Sequence, residues 1–147
     1  MLFSTFVFIV FSFVQLRADS LTPVFQDNVH QFTGIAISHS GRMFINFPRW
    51  EEPHQYDVIE VLSNGAVRPY PDAGWNSWSK GVNGSNHWVC VQAVYVDDHD
   101  TLWVVDPGSP GMKGVQDHGA KVVSIDLKTD SVRRVYDLTD LAGKKAI

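Results

Sequence analysis

The amino-acid sequence predicts an all-β protein made of β-propeller blades, each blade being a sheet of four antiparallel strands. Three observations support this prediction. From residue 20 onward, short β-rich runs bounded by turn residues recur along the chain, and no long helical stripe interrupts them. The runs form two groups of four. The second group repeats the first at a period of about sixty residues, and a fixed period of that order is typical of propeller repeats.

The first group of four strands is bounded by residues that favour tight turns. Ser-His-Ser-Gly at 38–41 separates the first two runs, and Asn64-Gly65, a strong hairpin signal, separates the last two. The four predicted strands are TGIAIS (33–38), RMFINF (42–47), DVIEVL (57–62) and AVRPY (66–70).

The second group can be superposed on the first. A shift of 59 positions lays residues 33–48 on 92–107 without a gap and brings Pro48 onto Pro107. The later strands match at a shift of 64 or 65, and the segment 108–119 absorbs the extra residues. A single sandwich of eight strands is the alternative, but a sandwich does not require internal repetition. The four predicted strands are VCVQAVYV (89–96), TLWVVD (101–106), AKVVSIDL (120–127) and SVRRVYDL (131–138).

Two blades do not close a propeller, which needs roughly four to eight. With blades at approximately 30–75 and 88–138, we expect residues 19–147 to be the N-terminal part of a larger ring. Unpaired β edges invite association. We therefore expect missing blades or self-association to cover them, and we expect this incomplete ring to have no activity of its own.

Residues 1–18 have the pattern of a signal peptide. Leu2 to Leu16 is apolar and uncharged, and we expect cleavage after Ala18. An N-terminal membrane anchor or a buried first strand is the alternative. Cleavage predicts a secreted, extracellular protein with no membrane attachment. The net charge of −4 would become −5 on loss of Arg17, which gives no basic surface for nucleic acid and favours a neutral or cationic ligand.

The single cysteine, Cys90, lies in an apolar run and is expected to be buried and inert. Asn83-Gly84-Ser85 is a sequon in a glycine-containing loop, so Asn83 is a candidate glycosylation site. The six histidines show no spacing typical of metal ligands. We therefore expect no metal site in this chain and no cofactor.

Three stretches together resemble one family. GRMFINFPRW (41–50), GAVRPYPDAGWNSW (65–78) and VCVQAVYVDDHDTLWVVDPG (89–108) are similar to the Yellow/major royal jelly protein family, most closely to its microbial and fungal members. The resemblance implies a secreted six-bladed propeller with a central funnel. It also implies a link to the binding of small amines and to pigment pathways, and some members are reported to convert dopachrome.

Candidate ligand residues lie in the loops that follow the strands. Arg49 and Trp50 place a guanidinium beside an indole, which suits an anion or an aromatic ring, although Trp50 packing between blades is the plainer reading. Asp72, Trp75 and Asn76 offer a carboxylate, an aromatic face and an amide for an amine ligand. A simple turn closed by Asp72 explains the same residues.

Two further candidates belong to the second repeat. Gln92 begins an innermost strand, at the position equivalent to Thr33. Asp106 precedes Pro107, which holds it extended and would let its carboxylate face the mouth of the propeller, or alternatively cap the turn. The equivalent residue in the first repeat is Phe47, so this carboxylate is not part of a common scaffold.

These residues favour a secreted binding protein whose funnel holds a small aromatic or amine ligand. The alternative is an enzyme in the complete propeller, either converting an aminochrome or hydrolysing a lactone with calcium. Aminochrome conversion would need an acid–base pair, for which Asp72 and Asp106 are the candidate carboxylates.

Overall fold

The computed structural model describes residues 20–142, so the predicted signal peptide and residues 143–147 lie outside the described part. A short 3-10 turn, Pro110–Met112, lies between the sixth and seventh strands, and a four-residue helix, Thr139–Ala142, follows the last strand. Within residues 20–142, no helix is long and apolar enough to span a bilayer. The strands are β1 (Gly34–Ile37), β2 (Met43–Asn46), β3 (Val58–Val61), β4 (Val67–Pro69), β5 (Ala93–Val96), β6 (Thr101–Asp106), β7 (Lys121–Asp126) and β8 (Ser131–Asp137).

The strands form two four-stranded antiparallel sheets with the orders β1-β2-β3-β4 and β5-β6-β7-β8. The two sheets share one register. The pair Ile37↔Met43 recurs 59 positions later as Val96↔Leu102. The predicted fold class is therefore confirmed: the protein is all-β, and its sheets are consistent with two successive propeller blades.

One predicted strand is shorter than expected. The run 89–96 was predicted to be extended throughout, but β5 begins only at Ala93. The backbone N–H groups of Val89 and Cys90 donate to the carboxylate of Asp106, at 2.8 and 2.9 Å, instead of joining a ladder. The apolar character of this run therefore reflects burial of a loop, since Trp88 to Val91 are fully buried.

The hydrophobic core lies between the two sheets. Side chains from strands of both sheets face it, among them Phe44, Val58, Leu102, Val104, Val123 and Ile125. The first strands of the two sheets approach closely at Gly34, where a Cβ atom would lie 3.4 Å from the backbone nitrogen of Val94. The Asn46 amide nitrogen donates to Thr33 Oγ1 and to the carbonyl of Val91, so it joins the first sheet to the second.

A polar network joins the sheets at the opposite end. Arg42 donates to Glu60 and also crosses to the second sheet, where it reaches Asp130 at 2.8 Å and the carbonyl of Leu127 at 2.7 Å. Tyr70 donates to the same Asp130 carboxylate. These contacts hold the pKa of Glu60 below its ordinary value, although burial opposes that shift, and raise the pKa of Arg42.

The outer faces of the two sheets differ. The N-terminal segment covers part of the first sheet, where Phe25 and Phe32 pack on Ile45, Phe47 and Ile59. The second sheet exposes a row of apolar side chains that are cross-strand neighbours. These are Tyr95, Trp103, Val105, Val122 and Tyr136.

Candidate functional site

The loops that follow β2 and β6 meet at one end of the molecule and enclose a cleft of about 490 Å³. They are joined directly, because the backbone N–H of Gly111 donates to the carbonyl of Arg49 at 2.9 Å. These loops are equivalent in the repeat and dissimilar in sequence. The lining includes Arg49, Trp50, Trp78, Lys80, Pro110 and Lys113.

The cleft has an aromatic lining. Trp78 is almost fully buried, and the guanidinium carbon of Arg49 lies 5.4 Å from the centre of its ring. The Trp78 indole nitrogen donates to the carbonyl of Val82 at 2.8 Å, so its polar atom is already satisfied. Trp50 is half-buried and lines the same cleft. A planar ligand would therefore meet these side chains through van der Waals and π contacts.

Arg49 is held in place by two carboxylates. Its guanidinium donates to the fully buried Asp57 at 3.1 Å and to the exposed Glu52 at 3.2 Å, while its Nε atom is buried without a partner. His54 Nε2 lies 3.2 Å from Asp57, without the alignment of a hydrogen bond. Burial raises the pKa of Asp57, and the neighbouring His54 and Arg49 oppose that rise. Of these four side chains, only that of Glu52 is exposed to solvent.

Asp106 lies behind the cleft in a second buried ion pair. Its carboxylate accepts from Lys121 Nζ at 3.0 Å and from the backbone of Gly108 at 2.8 Å, in addition to the two N–H groups that precede β5. Asp106 and Lys121 are about 1% exposed. The carboxylate thus closes the turn after β6 and does not line the cleft.

The half-buried Gln92 contacts the fully buried Cys90. The Gln92 side-chain nitrogen lies 3.4 Å from Cys90 Sγ, and the Gln92 carbonyl accepts from Thr33 Oγ1, its counterpart in the first repeat. Burial raises the pKa of the Cys90 thiol to about 11, and the Asp106 charge adds to the effect. The thiol is therefore neutral near pH 7 and lacks the character of a nucleophile.

Asp72, Trp75 and Asn76 form a compact turn that lies outside the cleft lining. Asp72 accepts from the backbone of Trp75 at 2.9 Å, and Trp75 packs on Trp88 with ring centres 4.4 Å apart. Asn76 accepts from the backbone of Asp57 and Val58. The turn therefore braces the start of β3 and the core.

The segment 108–119, which forms one wall of the cleft, is fixed at its base and along its length. Gly108 and Gly119 touch through their backbones: a Cβ atom on Gly108 would lie 2.2 Å from the Gly119 carbonyl carbon. Asn83 donates to Asp117 at 2.8 Å, and His118 forms a short hydrogen bond with Asp137 of β8. The cleft wall is thereby tied to both the sequon loop and the second sheet.

The candidate residues thus fall into three places. Arg49 and Trp50 line the cleft, Gln92 and Asp106 lie behind it, and the turn of Asp72 lies elsewhere. Trp78 ends the stretch 65–78 that carries the family resemblance, whereas Lys80 carries no sequence signal beyond its proximity to that stretch. Across residues 20–142, no cluster of three or more histidine, cysteine or acidic side chains is arranged to hold a metal ion.

Two four-stranded antiparallel sheets repeat one register, and their strand-end loops contribute to a shared cleft; this arrangement is consistent with blades of a β-propeller-type protein. The family model described as major royal jelly protein matches residues 89–146, which include the whole second sheet. The resemblance to the Yellow/major royal jelly protein family is therefore confirmed. No curated protein matches the chain.

Proposed function

We propose that this chain is part of a secreted propeller protein of the major royal jelly type, and that it binds a small aromatic or amine ligand in the cleft. The observation that carries the proposal is the pair Trp50 and Trp78 in a cleft formed by two equivalent loops and the connection between the two sheets. Ligand sites commonly combine aromatic walls with a few polar groups at the rim. The repeat keeps the strands alike and lets these loops differ, which is how a binding site arises on a shared scaffold.

Binding is favoured over acid–base catalysis by the state of the candidate carboxylates. Asp106 is paired with Lys121 and accepts from three backbone N–H groups. A proton transfer through it would break a buried ion pair, which is costly. Asp72 is engaged in its own turn, at 2.9 Å from the Trp75 nitrogen. Neither residue faces the cleft.

Ligand binding is tested by titrating the purified protein with aromatic amines, aromatic acids and neutral aromatic compounds, using calorimetry and tryptophan fluorescence. We expect heat and a fluorescence change in the wild type, and a loss of affinity of at least tenfold in Trp50→Ala. Tyr95→Ala is the control, because Tyr95 lies on the outer face of the second sheet. Absence of both signals over the whole panel would rule out the proposal.

Secretion is proposed from the apolar N-terminal segment and the sequon at Asn83, which is exposed. Expression in a eukaryotic secretory host should yield a mature chain that begins at Asp19. Glycosidase treatment should lower its apparent mass, and Asn83→Gln should remove that shift. Retention of residues 1–18 on a membrane-bound product would contradict the proposal.

Further blades, or a second copy of the chain, are proposed as the partner of the outer sheet faces. Tyr95 is 63% exposed and Ile37 is 59% exposed, and they lie on opposite sheets. Apolar side chains adjacent on a sheet face are typical of surfaces that become buried in an assembly. The edge strands are less prone to association than these faces, because Pro69 in β4 and the charged Arg133 and Arg134 in β8 disfavour pairing with another strand.

A further inference from the structure

The rim of the cleft carries two lysine side chains, Lys80 and Lys113. Lys80 and Lys113 are exposed and form no ion pair within residues 20–142. Lys113 folds back over Gly111, where a Cβ atom would meet its Cδ and Cε atoms at 3.7 and 3.5 Å. Its aliphatic stem therefore lies against the cleft wall beside the carbonyl of Trp50.

Two glutamates oppose these lysines, but only one is uncommitted. Glu51 is exposed at the rim, whereas Glu52 accepts from Arg49 at 3.2 Å and from the backbone of His54 at 3.0 Å. The Glu52 carboxylate therefore already accepts the hydrogen bond that Arg49 Nη1 could donate to a ligand. Its side chain is 67% exposed, so the Arg49–Glu52 pair is weak and exchangeable.

From these charges we propose that the cleft selects an aromatic acid, with its ring against Trp50 and Trp78 and its carboxylate among Lys113, Lys80 and Arg49. The inference rests on the proposed function and refines its ligand class. It is opposite in sign to the expectation from net charge, because the rim carries two lysines without an ion-pair partner against one such glutamate, Glu51, while the chain as a whole is acidic. A ligand carboxylate would take the place that Glu52 holds on Arg49.

The test compares two probes that differ only in the sign of their charge, 3-phenylpropionate and 2-phenylethylamine. Both carry a phenyl ring on a two-carbon arm and neither absorbs where tryptophan is excited. We expect calorimetry and tryptophan quenching on the full chain to give at least tenfold tighter binding of the acid at low ionic strength, and the preference to shrink as salt is added.

Two variants should change acid affinity in opposite directions. Lys113→Gln removes a positive charge and should weaken acid binding by a factor of about 1.5 to 5, while Glu52→Gln removes the competing carboxylate and should strengthen it by a similar factor. Lys128→Gln, in the exposed turn between β7 and β8, is the matched control and should leave both affinities unchanged. Circular dichroism checks that each variant keeps its β structure.

The outcomes separate this inference from the proposed function. Preferential binding of the amine, or weaker acid binding in Glu52→Gln, would overturn the choice of an acid and leave an aromatic binding protein. An acid affinity that is the same in Lys113→Gln, Glu52→Gln and the wild type would show that the acid does not bind in this cleft. Failure of both probes and of the wider aromatic panel would overturn the proposed function as well.

Discussion

At the scale of single residues, buried charges occur at matching places in the two sheets. Asp57 precedes β3 and pairs with Arg49, whereas Lys121 begins β7 and pairs with Asp106. The buried charge at the start of the third strand is negative in the first sheet, at Asp57, and positive in the second sheet, at Lys121. A charged residue before each apolar third strand is visible in the sequence, but its partner is not, because the partner arrives from a loop whose path depends on the whole sheet.

Substitution of Asp106 should show how much the second pair matters. In Asp106→Asn, Lys121 would stay buried beside neutral acceptors, the carbonyl of Gly119 and the new amide oxygen, without a counter-charge. We expect a loss of about 3–5 kcal/mol in the free energy of unfolding, since one buried charge is left uncompensated. Urea unfolding at a fixed protein concentration measures it. The exposed Asp98→Asn is the control, and a loss in Asp106→Asn no larger than in this control would contradict the prediction.

The hydrogen bond between His118 and Asp137 should give a pH dependence. It raises the pKa of His118 above the ordinary 6.5 and lowers the pKa of Asp137 to about 2. A raised histidine pKa stabilises the fold below pH 6.5, and the contribution is lost as pH rises through the raised value. The aspartate contribution is present above about pH 4 and is lost as pH falls toward 2.

This prediction is checked by following the His118 ring protons by NMR between pH 5 and about 9. The midpoint should lie above 6.5 in the wild type and return to about 6.5 in Asp137→Asn. Asp98→Asn should leave the midpoint unchanged. Equal midpoints in all three proteins would show that the pair does not form in solution.

At the scale of elements, the sequence predicted all eight strands because each was bounded by turn residues and repeated in the other group. The observed strand β6 has the predicted bounds, 101–106, and β8 differs by one residue at its end. The exception is β5, whose predicted start at 89 was wrong. Periodicity reports burial, and residues 89–91 are buried in a loop in which the Asp106 carboxylate, rather than a neighbouring strand, accepts from the backbone of Val89 and Cys90.

The base of the segment 108–119 offers a test at this scale. Gly108 has φ of 63° and touches the backbone of Gly119, whereas Gly65 has φ of 81° and nothing within 4 Å of its Cβ position. Gly65→Ala should therefore cost only the left-handed backbone strain, about 1 kcal/mol. Gly108→Ala should cost about 1–3 kcal/mol more, because the backbones must separate.

The same pair of variants also reports on the cleft. Because Gly108 and Gly119 anchor its wall, Gly108→Ala should weaken ligand binding, and Gly65→Ala, in the distant β3–β4 turn, should not. Unfolding curves and aromatic-probe titrations measure the two effects. Equal stability losses in the two variants would mean that the backbones at 108 and 119 do not meet as described.

At the scale of the whole molecule, the location of the cleft illustrates what sequence can and cannot provide. The repeat identified the loops after β2 and β6 as equivalent, and both line the cleft with Arg49, Trp50 and Lys113. The contribution of Trp78 and Lys80 comes from the connection between the two sheets, whose path is fixed by packing of Trp75 on Trp88. No repeat pattern reports such a path, because the segment has no counterpart within the chain.

The exposed sheet faces lead to the last prediction. Trp103 and Tyr136 stack at 6.1 Å on a face that also presents Tyr95 and Val105, and their burial would stabilise an assembly. We expect the isolated chain to sediment as a species heavier than 16.5 kDa, with a thermal midpoint that rises with protein concentration.

The double variant Tyr95→Lys with Val105→Lys places charges on this face and should shift the chain toward monomer. Ser63→Lys with Ala66→Lys, in the exposed β3–β4 turn of the first sheet, adds the same charge away from the face and should leave sedimentation unchanged. A monomeric mass with a cooperative, concentration-independent unfolding transition in the wild type would show that two blades are stable without a partner.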